Sequence, residues 1–170
     1  MKDFSPTRGL IIDVRDNTGG DLVNVEKLFS RFINTRKLVK YEVKKKGPGH
    51  SEYADKEPIY ISPAVSYYEH PVALLTNRKC FSACNDFVLF MSLLPQVTLI
   101  GDRTGGGGAI PADFLLLNGW TLQYSASMTL SPDGVEIESG IPPDYSVDIN
   151  AIDDANGRDP ILEKGFEILH

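Results

Sequence analysis

Three short apolar runs, separated by stretches with a different hydrophobic spacing, organise the chain. They lie at residues 9–14, 71–77 and 97–101 and are continuous rather than alternating, a pattern typical of strands that are covered on both faces. The two stretches that directly follow the first two runs carry apolar residues at a helical period. The order of strand, helix, strand, helix, strand predicts parallel strands joined by right-handed crossovers.

Three helices are predicted from apolar periodicity and from end signals. Asp21 can cap the first, residues 83–94 form an unusually apolar second helix that stops before Pro95, and residues 159–169 form the last. The positions expected to face inward are Leu22, Val25, Leu28, Phe29, Phe32 and Ile33 in the first helix, and Ile161, Leu162, Phe166 and Leu169 in the last.

Two antiparallel hairpins are expected between these elements. Residues 37–63 are polar and alternate loosely, which indicates a hairpin on the solvent side of the fold. Asn118-Gly119 separates two apolar segments and predicts a second hairpin with a type I′ turn. With no internal repeat and no low-complexity segment, residues 1–170 are interpreted as one domain.

Composition narrows the classes of function. The chain has 170 residues, of which 42% are hydrophobic, and 17 basic against 23 acidic residues give a net charge of −6. A chain of this size can bury a real core, and its charge provides no attraction to nucleic acid or to anionic membranes. No apolar run reaches the length of a membrane span. Cys80 and Cys84 lack the second ligand pair of a zinc site, so we expect neither a metal nor another cofactor.

Ser82 lies where catalytic chemistry could occur. It falls between the strand that ends at Asn77 and the helix that begins at Ala83, where backbone N–H groups are unpaired and the helix dipole is positive. A serine in this position either caps the helix or acts as a nucleophile with those N–H groups stabilising an oxyanion. Position alone leaves both interpretations open.

Glycine-rich turns follow the other two strands. Residues 17–20 and 105–108 occupy strand-to-helix or strand-to-loop junctions at the carboxyl edge of the predicted sheet, where sites of parallel sheets are built. Glycines allow a ligand to approach the backbone, although each turn could equally be a structural turn that needs a positive φ. Neither turn has the lysine and hydroxyl order of a phosphate loop.

Five segments together resemble one family. They are LIIDVRDNTGG at residues 10–20, PVALLTN through SA at 71–83, GDRTGG at 101–106, GIPPD at 140–144 and DPILEK at 159–164. In this order they are similar to the S41 serine peptidases, which include the tail-specific processing proteases and the tricorn core protease. The resemblance implies an α/β fold of the ClpP/crotonase-like type, with stacked β-β-α units and an added β-hairpin.

The resemblance also implies roles for individual residues. Ser82 corresponds to the nucleophile, and the N–H groups of Gly19 or Gly20 together with Ala83 correspond to the oxyanion hole. Glu138, with Glu136 as second choice, corresponds to a glutamate that supports the base. The segment of Gly105, Gly106 and Gly107 corresponds to a loop that binds substrate.

The general base is where the chain departs from the family pattern. In the processing proteases a lysine is the base, and the alignment of motifs puts Gly107 at its position, so the comparison implies the serine–histidine chemistry of the tricorn-like branch. The family histidine lies upstream of the first strand, and His50, His70 and His170 do not match it. We therefore expect that residues 1–170 are part of a longer protein whose N-terminal part supplies the histidine, and that residues 1–170 alone have little or no activity.

Four other residues near the predicted oxyanion turn are expected to have structural roles. Cys80 and Cys84 are expected to be small packed residues, and Arg15 and Asp13 could form an ion pair beside that turn. The substrate is expected to be a protein or peptide, with no nucleic-acid partner, and the resemblance places the full-length protein in the periplasm or at the cell surface. Two alternatives remain: a non-catalytic peptide- or lipid-binding domain on the same fold, and an acyl-CoA enzyme of the crotonase type.

Overall fold

The computed structural model describes residues 4–170 and contains parallel and antiparallel sheets with four helices. In chain order the elements are β1 (Leu10–Asp13), α1 (Leu22–Phe29), β2 (Lys37–Lys44), β3 (Glu57–Ile61), β4 (Val72–Thr76), α2 (Ala83–Ser92), β5 (Val97–Gly101), β6 (Pro111–Leu115), β7 (Thr121–Ser125), β8 (Ser127–Leu130), β9 (Tyr145–Ser146), α3 (Ala151–Ala155) and α4 (Pro160–Leu169). The predicted α/β class is confirmed.

The central sheet is parallel and has the order β1-β4-β5-β9. All five residues of β4 are buried, as its continuous apolar run predicted. Successive side chains of a strand point to opposite faces, so Val72 and Leu74 pack with α2 in the larger core, whereas Ala73 and Leu75 pack on the other face with Ile161 of α4. Helices thus cover both faces of the sheet.

The segment predicted to be a solvent-side hairpin does form the antiparallel β2–β3 pair, but this pair belongs to a second sheet that contributes to the core. β2 pairs with β3 on one edge and with β8 on the other, and Val39 and Ile61 are buried in the main core. Lysines make the segment look polar in the sequence. Lys40, however, is buried in an ion pair with Asp86 of α2, which the local pattern could not reveal.

The turn of the β6–β7 hairpin differs from the predicted type I′. Among the described residues only Gly119 of this turn has a positive φ, of 86°. The N–H of Gly119 donates to the carbonyl of Leu116 at 2.9 Å, and the N–H of Leu116 donates to the carbonyl of Trp120 at 2.7 Å. This is a type I turn followed by a left-handed glycine, and the side chain of Asn118 accepts from the N–H of Trp120.

The helices begin near the predicted residues, but two of them end earlier. α1 ends at Phe29, and Phe32 and Ile33 are buried in the turn that follows it, which is why the apolar period continued beyond the helix. α2 ends at Ser92. Asp159 caps α4 by accepting from the N–H of Leu162 at 3.0 Å. None of the helices found in residues 4–170 has the length and apolar character needed to cross a bilayer.

Candidate active site

Ser82 forms a sharp elbow between β4 and α2. Its φ of 56° and ψ of −126° are unusual for a residue other than glycine, and its side chain makes no capping hydrogen bond with the helix. The capping interpretation of this serine is therefore wrong. A strained backbone of this kind costs about 1–3 kcal/mol and persists only where the surroundings hold it, most often at functional sites.

Backbone hydrogen bonds from both glycine-rich segments hold the elbow. The N–H of Phe81 donates to the carbonyl of Asn17 at 3.1 Å, and the N–H of Ser82 donates to the carbonyl of Gly106 at 2.9 Å. The elbow is thus clamped between residues 17–20, called here the 17–20 turn, and residues 105–108, called the 105–108 loop. The fold brings the three predicted junctions together.

Two backbone N–H groups beside Ser82 are available to a ligand. Within residues 4–170 no acceptor is found for the N–H of Gly20 or of Ala83, whereas the N–H of Gly19 donates to Oδ1 of Asn17 at 2.9 Å. The N–H of Ala83 is also at the positive end of α2. The two free N–H groups are therefore those of Gly20 and Ala83.

Close packing explains the glycine at position 19. A Cβ there would lie 2.7 Å from the carbonyl oxygen of Phe81 and 2.9 Å from Cβ of Ser82, at a φ of 107°. A Cβ on Gly20 would meet nothing within 4 Å. Gly19 lets the turn touch the elbow, and Gly20 faces open space.

An apolar cavity of about 230 Å³ opens between the 17–20 turn and the start of α2. Its polar lining comes from Asn17, Asp21 and Asn24, together with the backbone of Gly19 and Gly20. Its apolar lining consists of Val14, Val25, Leu28, Ala83, Cys84 and Phe87. Since Gly20 and Ala83 line this cavity, it adjoins both free N–H groups.

The 105–108 loop is packed against the protein itself. The space that a side chain would need is occupied by the carbonyl of Arg78 at Gly105, by the carbonyl of Glu138 at Gly106, and by the ring of Phe81 at Gly107. A lysine at position 107 would have to displace that ring. The predicted loss of the lysine base and the predicted contact of this loop with substrate both stay predictions.

Glu138 lies on the outer side of the same loop. Its carboxylate is exposed and accepts from the N–H of Ala109 at 3.2 Å, and its backbone packs on Gly106. It makes no hydrogen bond to Ser82 within the described residues. Glu136, the second choice, lies at an isolated bridge with Leu130.

A buried polar network beneath the loop was missed by the sequence analysis. The hydroxyl of Thr104 donates to Oδ1 of Asn85 and accepts from the N–H of Ile141 at 2.7 Å, and Nδ2 of Asn85 donates to the carbonyl of Ile137 at 3.2 Å. Both side chains are buried. Asn85 thus ties the 105–108 loop and residues 137–141 to α2. The threonine of the GDRTGG element was the available signal.

None of the three histidines contacts Ser82 in the part of the chain that the structure describes. His50 is exposed in a loop, His170 is exposed at the last residue, and the ring of His70 packs edge-on against Tyr68 at 5.3 Å. That none of them is the base stays a prediction.

The two cysteines are free, buried and packed under the 17–20 turn, as expected. Sγ of Cys80 lies 3.0 Å from the carbonyl oxygen of Val14, and Sγ of Cys84 lies 3.8 Å from it. A hydrogen bond between the two thiols raises the pKa of Cys84, and burial raises it further, while the same bond lowers the pKa of Cys80. No set of three or more metal-ligating side chains occurs among residues 4–170.

Three ion pairs anchor the elements around the site. Arg15 contacts Asp13 and also Asp159, each at 2.7 Å, and the hydrogen bonds that its guanidinium donates to these carboxylates raise the pKa of Arg15. Arg15 therefore ties the segment before the 17–20 turn to the cap of α4, a partner that the sequence analysis did not identify. Lys40 and Asp86 form the buried pair at 3.0 Å, and burial raises the pKa of Asp86 against the opposing effect of Lys40.

Comparison with known proteins finds related peptidases. A model of peptidase family S41 matches residues 1–147. A curated protein of Sulfurisphaera tokodaii named "Putative Tricorn-like protease C-terminal subunit" is 33% identical over 165 residues, which are 94% of this chain and 17% of that protein. A "Probable CtpA-like serine protease" of Staphylococcus epidermidis is 29% identical over 143 residues, 82% of this chain and 28% of that protein.

Solved structures show the same architecture. The crystal structure of a "putative peptidase" from Parabacteroides merdae is 44% identical, with a TM-score of 0.95, and covers 99% of this chain and 54% of that one. Mature CPAF, 18% identical with a TM-score of 0.76, shares the fold. The predicted ClpP/crotonase-like fold is confirmed. The chain spans about half of the similar structure and less than a third of these curated relatives.

Proposed function

Because the chain belongs to peptidase family S41, we propose that it is the nucleophile-bearing part of a serine peptidase that hydrolyses peptide bonds in protein or peptide substrates. Ser82 is the proposed nucleophile, and the N–H groups of Gly20 and Ala83 form the proposed oxyanion hole. The observation that carries the proposal is the strained, uncapped Ser82 beside two unpaired backbone donors.

The proposed reaction uses these groups in order. Oγ of Ser82 attacks the scissile carbonyl while its proton passes to a general base, and the oxyanion accepts hydrogen bonds from Gly20 and Ala83. The intermediate collapses, the base returns the proton to the leaving amine, and water then hydrolyses the acyl-enzyme by the same route. Loss of one oxyanion donor typically costs about 10²–10³ in turnover.

We propose that the general base comes from a part of the protein outside residues 4–170. By resemblance Gly107 stands at the position of the family lysine, a Cβ there would meet the ring of Phe81, and no histidine of the described residues contacts Ser82. Glu138 is the group proposed to hold an incoming histidine, because its exposed carboxylate accepts from the N–H of Ala109, which directly follows the loop whose Gly106 carbonyl accepts the N–H of Ser82. Residues 1–170 alone should therefore be a weak peptidase.

The cavity supports a preference for apolar substrate side chains. Its 230 Å³ of space next to Gly20 and Ala83 is lined mainly by aliphatic and aromatic groups, which favour burial of an apolar group by about 25 cal/mol per Å². A medium-sized apolar residue before the scissile bond is the proposed substrate feature. By family resemblance, the proposed location is the periplasm or the cell surface.

Labelling with a fluorophosphonate tests the proposal. We expect slow formation of one adduct, located at Ser82 by peptide mass spectrometry, and a faster rate when imidazole is added as an external base. Ser82→Ala should remove the adduct, whereas Ser62→Ala, which changes an exposed serine, should leave it unchanged. Peptide hydrolysis by residues 1–170 that equals that of a longer form of the protein would contradict the proposed external base.

The absence of labelling would favour the alternative function, that of a non-catalytic peptide-binding domain. If Ser82 stays unmodified with and without imidazole while extended apolar peptides still bind beside α1, the chain is a binding domain on a peptidase fold. The motivating observation is that no hydrogen bond links Ser82 to a basic side chain within the described residues.

A further inference from the structure

Cys80 and Cys84 flank the proposed nucleophile, each two residues from Ser82. Both are free and buried, and the reaction proposed above uses neither. Their sulfur atoms lie 3.0 Å and 3.8 Å from the same atom, the carbonyl oxygen of Val14, and the two thiols are hydrogen-bonded to each other. Two cysteines can be bridged only when their side chains point toward each other. Two thiols in contact meet that requirement.

Cys84 is within reach of a small oxidant. It lines the cavity of about 230 Å³ beside the proposed oxyanion hole, as do Gly20 and Ala83. This space is several times the ~30 Å³ that one water molecule occupies in the liquid, so a molecule as small as hydrogen peroxide can enter it. Cys80 is fully buried and does not line the cavity. Oxidation therefore begins at Cys84.

We propose that hydrogen peroxide joins Cys80 and Cys84 in a disulfide, and that this bond switches off the reactivity of Ser82. The effect on Ser82 rests on the function proposed above, whereas formation of the disulfide does not. The site is thus a place of reversible modification next to the nucleophile.

The oxidation takes place in two balanced steps. Sγ of Cys84 attacks one oxygen of the peroxide, so that an S–O bond forms, the O–O bond breaks, and the departing hydroxide takes the thiol proton as water. Sγ of Cys80 then attacks the sulfenic sulfur of Cys84, so that an S–S bond forms, the S–O bond breaks, and hydroxide leaves with the proton of Cys80 as a second water. The hydrogen bond between the thiols and burial raise the pKa of Cys84, which makes the first step slow.

The disulfide acts on the elbow directly. It closes a ring of residues 80–84, and the backbone of this ring contains Ser82 and the free N–H of Ala83. Bond formation draws the two sulfurs from a hydrogen-bonded contact to bonding distance, so the ring has to adjust. Ser82 holds its φ of 56° only while the surroundings fix it. Oxidation therefore moves Oγ of Ser82 relative to its proposed oxyanion donors.

The disulfide also acts on the 17–20 turn. In the reduced protein the carbonyl of Val14 accepts from the thiol of Cys80 at 3.0 Å and from the N–H of Asn17 at 3.2 Å. Oxidation removes the thiol proton and with it the first of these bonds. Asn17 in turn accepts from the N–H of Phe81 through its carbonyl and from the N–H of Gly19 through its side chain. Both sides of the proposed oxyanion hole thus change on oxidation.

Mass spectrometry and fluorophosphonate labelling of the same samples test the two parts of the proposal. Millimolar hydrogen peroxide should lower the mass of the protein by about 2 Da, the two hydrogens lost in one disulfide, and peptide mapping should find Cys80 linked to Cys84. Labelling of Ser82, measured with imidazole present, should become about tenfold slower or more. Dithiothreitol should restore both the mass and the labelling rate.

Two variants separate the disulfide from other oxidation, each compared with itself before peroxide. In Cys80→Ser the sulfenic acid of Cys84 has no thiol to condense with, so dimedone should trap it on Cys84 and the loss of about 2 Da should disappear. The double variant Cys80→Ser, Cys84→Ser lacks both sulfurs, so peroxide should change its labelling rate by less than about twofold. Circular dichroism checks that both variants fold.

Three results would overturn the proposal. The first is a protein that keeps both thiols at peroxide concentrations that oxidise the partly buried Met128 to its sulfoxide. The second is a disulfide between Cys80 and Cys84 that leaves the labelling of Ser82 unchanged. The third is an equal loss of labelling in the double variant, since the loss would then come from another residue. Reduced protein that is not labelled with imidazole present would contradict the proposed function and the switch together, while the mass spectrum still decides whether the disulfide forms.

Discussion

The two glycine-rich segments beside Ser82 look alike in the sequence and differ in the structure. The 17–20 turn presents Gly20 to open space with its N–H unpaired. In the 105–108 loop, Gly105, Gly106 and Gly107 are pressed against backbone or an aromatic ring of the same protein. One segment leaves a backbone N–H open to solvent, and the other packs against the elbow that carries the serine.

The 105–108 loop and the 17–20 turn, which contact the elbow from two sides, therefore contribute differently to it. The loop accepts the N–H of Ser82 and is itself fastened to α2 by Thr104 and Asn85, so it contributes rigidity. The turn touches the elbow through Gly19 and leaves Gly20 free, so it contributes a donor. Changes in the loop should therefore affect stability first, and changes in the turn should affect reactivity first.

The largest expected effect is that of Gly106→Ala. Its φ is 82° and a Cβ would collide with the carbonyl of Glu138, so backbone has to move. We expect the free energy of unfolding to fall by about 3 kcal/mol or more, measured by urea denaturation. Gly134→Ala is the control: its φ is 84° and nothing lies within 4 Å, so the loss should be about 1 kcal/mol. Equal losses would contradict the packed loop.

The second-largest expected loss of stability is that of Asn85→Ala, which removes the hydrogen bonds that tie the 105–108 loop to α2. It leaves the hydroxyl of Thr104 and the carbonyl of Ile137 without their partner in a buried site, which costs about 2–3 kcal/mol. Asn34→Ala changes an exposed asparagine and should stay within about 0.5 kcal/mol. Chemical denaturation of both variants measures the difference, and a small loss for Asn85→Ala would show that the network does not hold the loop.

In the turn, the two glycines should separate stability from reactivity. Gly19→Ala should destabilise by about 2–3 kcal/mol because its φ is 107° and its Cβ meets the elbow. Gly20→Ala meets no atom but keeps a φ of 151°, so it should cost about 1–2 kcal/mol. It should also slow fluorophosphonate labelling of Ser82 about tenfold, since relief of that strain turns the N–H of residue 20 away from its position beside the elbow. Labelling that is unchanged in Gly20→Ala would remove Gly20 from the oxyanion hole.

The smallest expected effect comes from removing the ion pair between Arg15 and Asp159, which anchors the segment before the 17–20 turn. This effect depends on pH. Arg15 lowers the pKa of Asp159, so this carboxylate stabilises the fold above its unfolded pKa of about 3.9, and the contribution disappears as pH falls through the lower folded value. Asp159→Asn should lose about 0.5–1 kcal/mol at pH 7, and this loss should shrink as the pH falls below about 3.9. Asp133→Asn, an exposed control, should show no such dependence in thermal unfolding. A pH-independent difference would contradict the ion pair.

Local signals explain which parts of the fold could be predicted. The runs that became β1, β4 and β5 are continuous and apolar, and short strands of this kind are visible without knowledge of their neighbours. The burial of Lys40 could not be predicted, because its partner Asp86 lies 46 residues away. The dipeptide Asn118-Gly119 is compatible with two turn types, and the local hydrogen bonds of Leu116 decide between them.

The residues of the candidate site also fall into those that local sequence signals predict and those that depend on tertiary contacts. The elbow at Ser82 could be expected from the order of motifs along the chain, since the carboxyl ends of parallel strands meet at one edge. The choice between Gly19 and Gly20 depends on where the side chain of Asn17 points, and the packing of Phe81 on Gly107 depends on a ring orientation. Side-chain directions of this kind follow from tertiary contacts, which the sequence pattern does not contain.

The most direct measurement of the central claim is a crystal structure of the protein after reaction with a fluorophosphonate. The account predicts phosphorus bonded to Oγ of Ser82, with one phosphoryl oxygen about 2.7–3.1 Å from the backbone nitrogens of both Gly20 and Ala83. An adduct whose oxygen contacts neither nitrogen, or an adduct on a different residue, would contradict it.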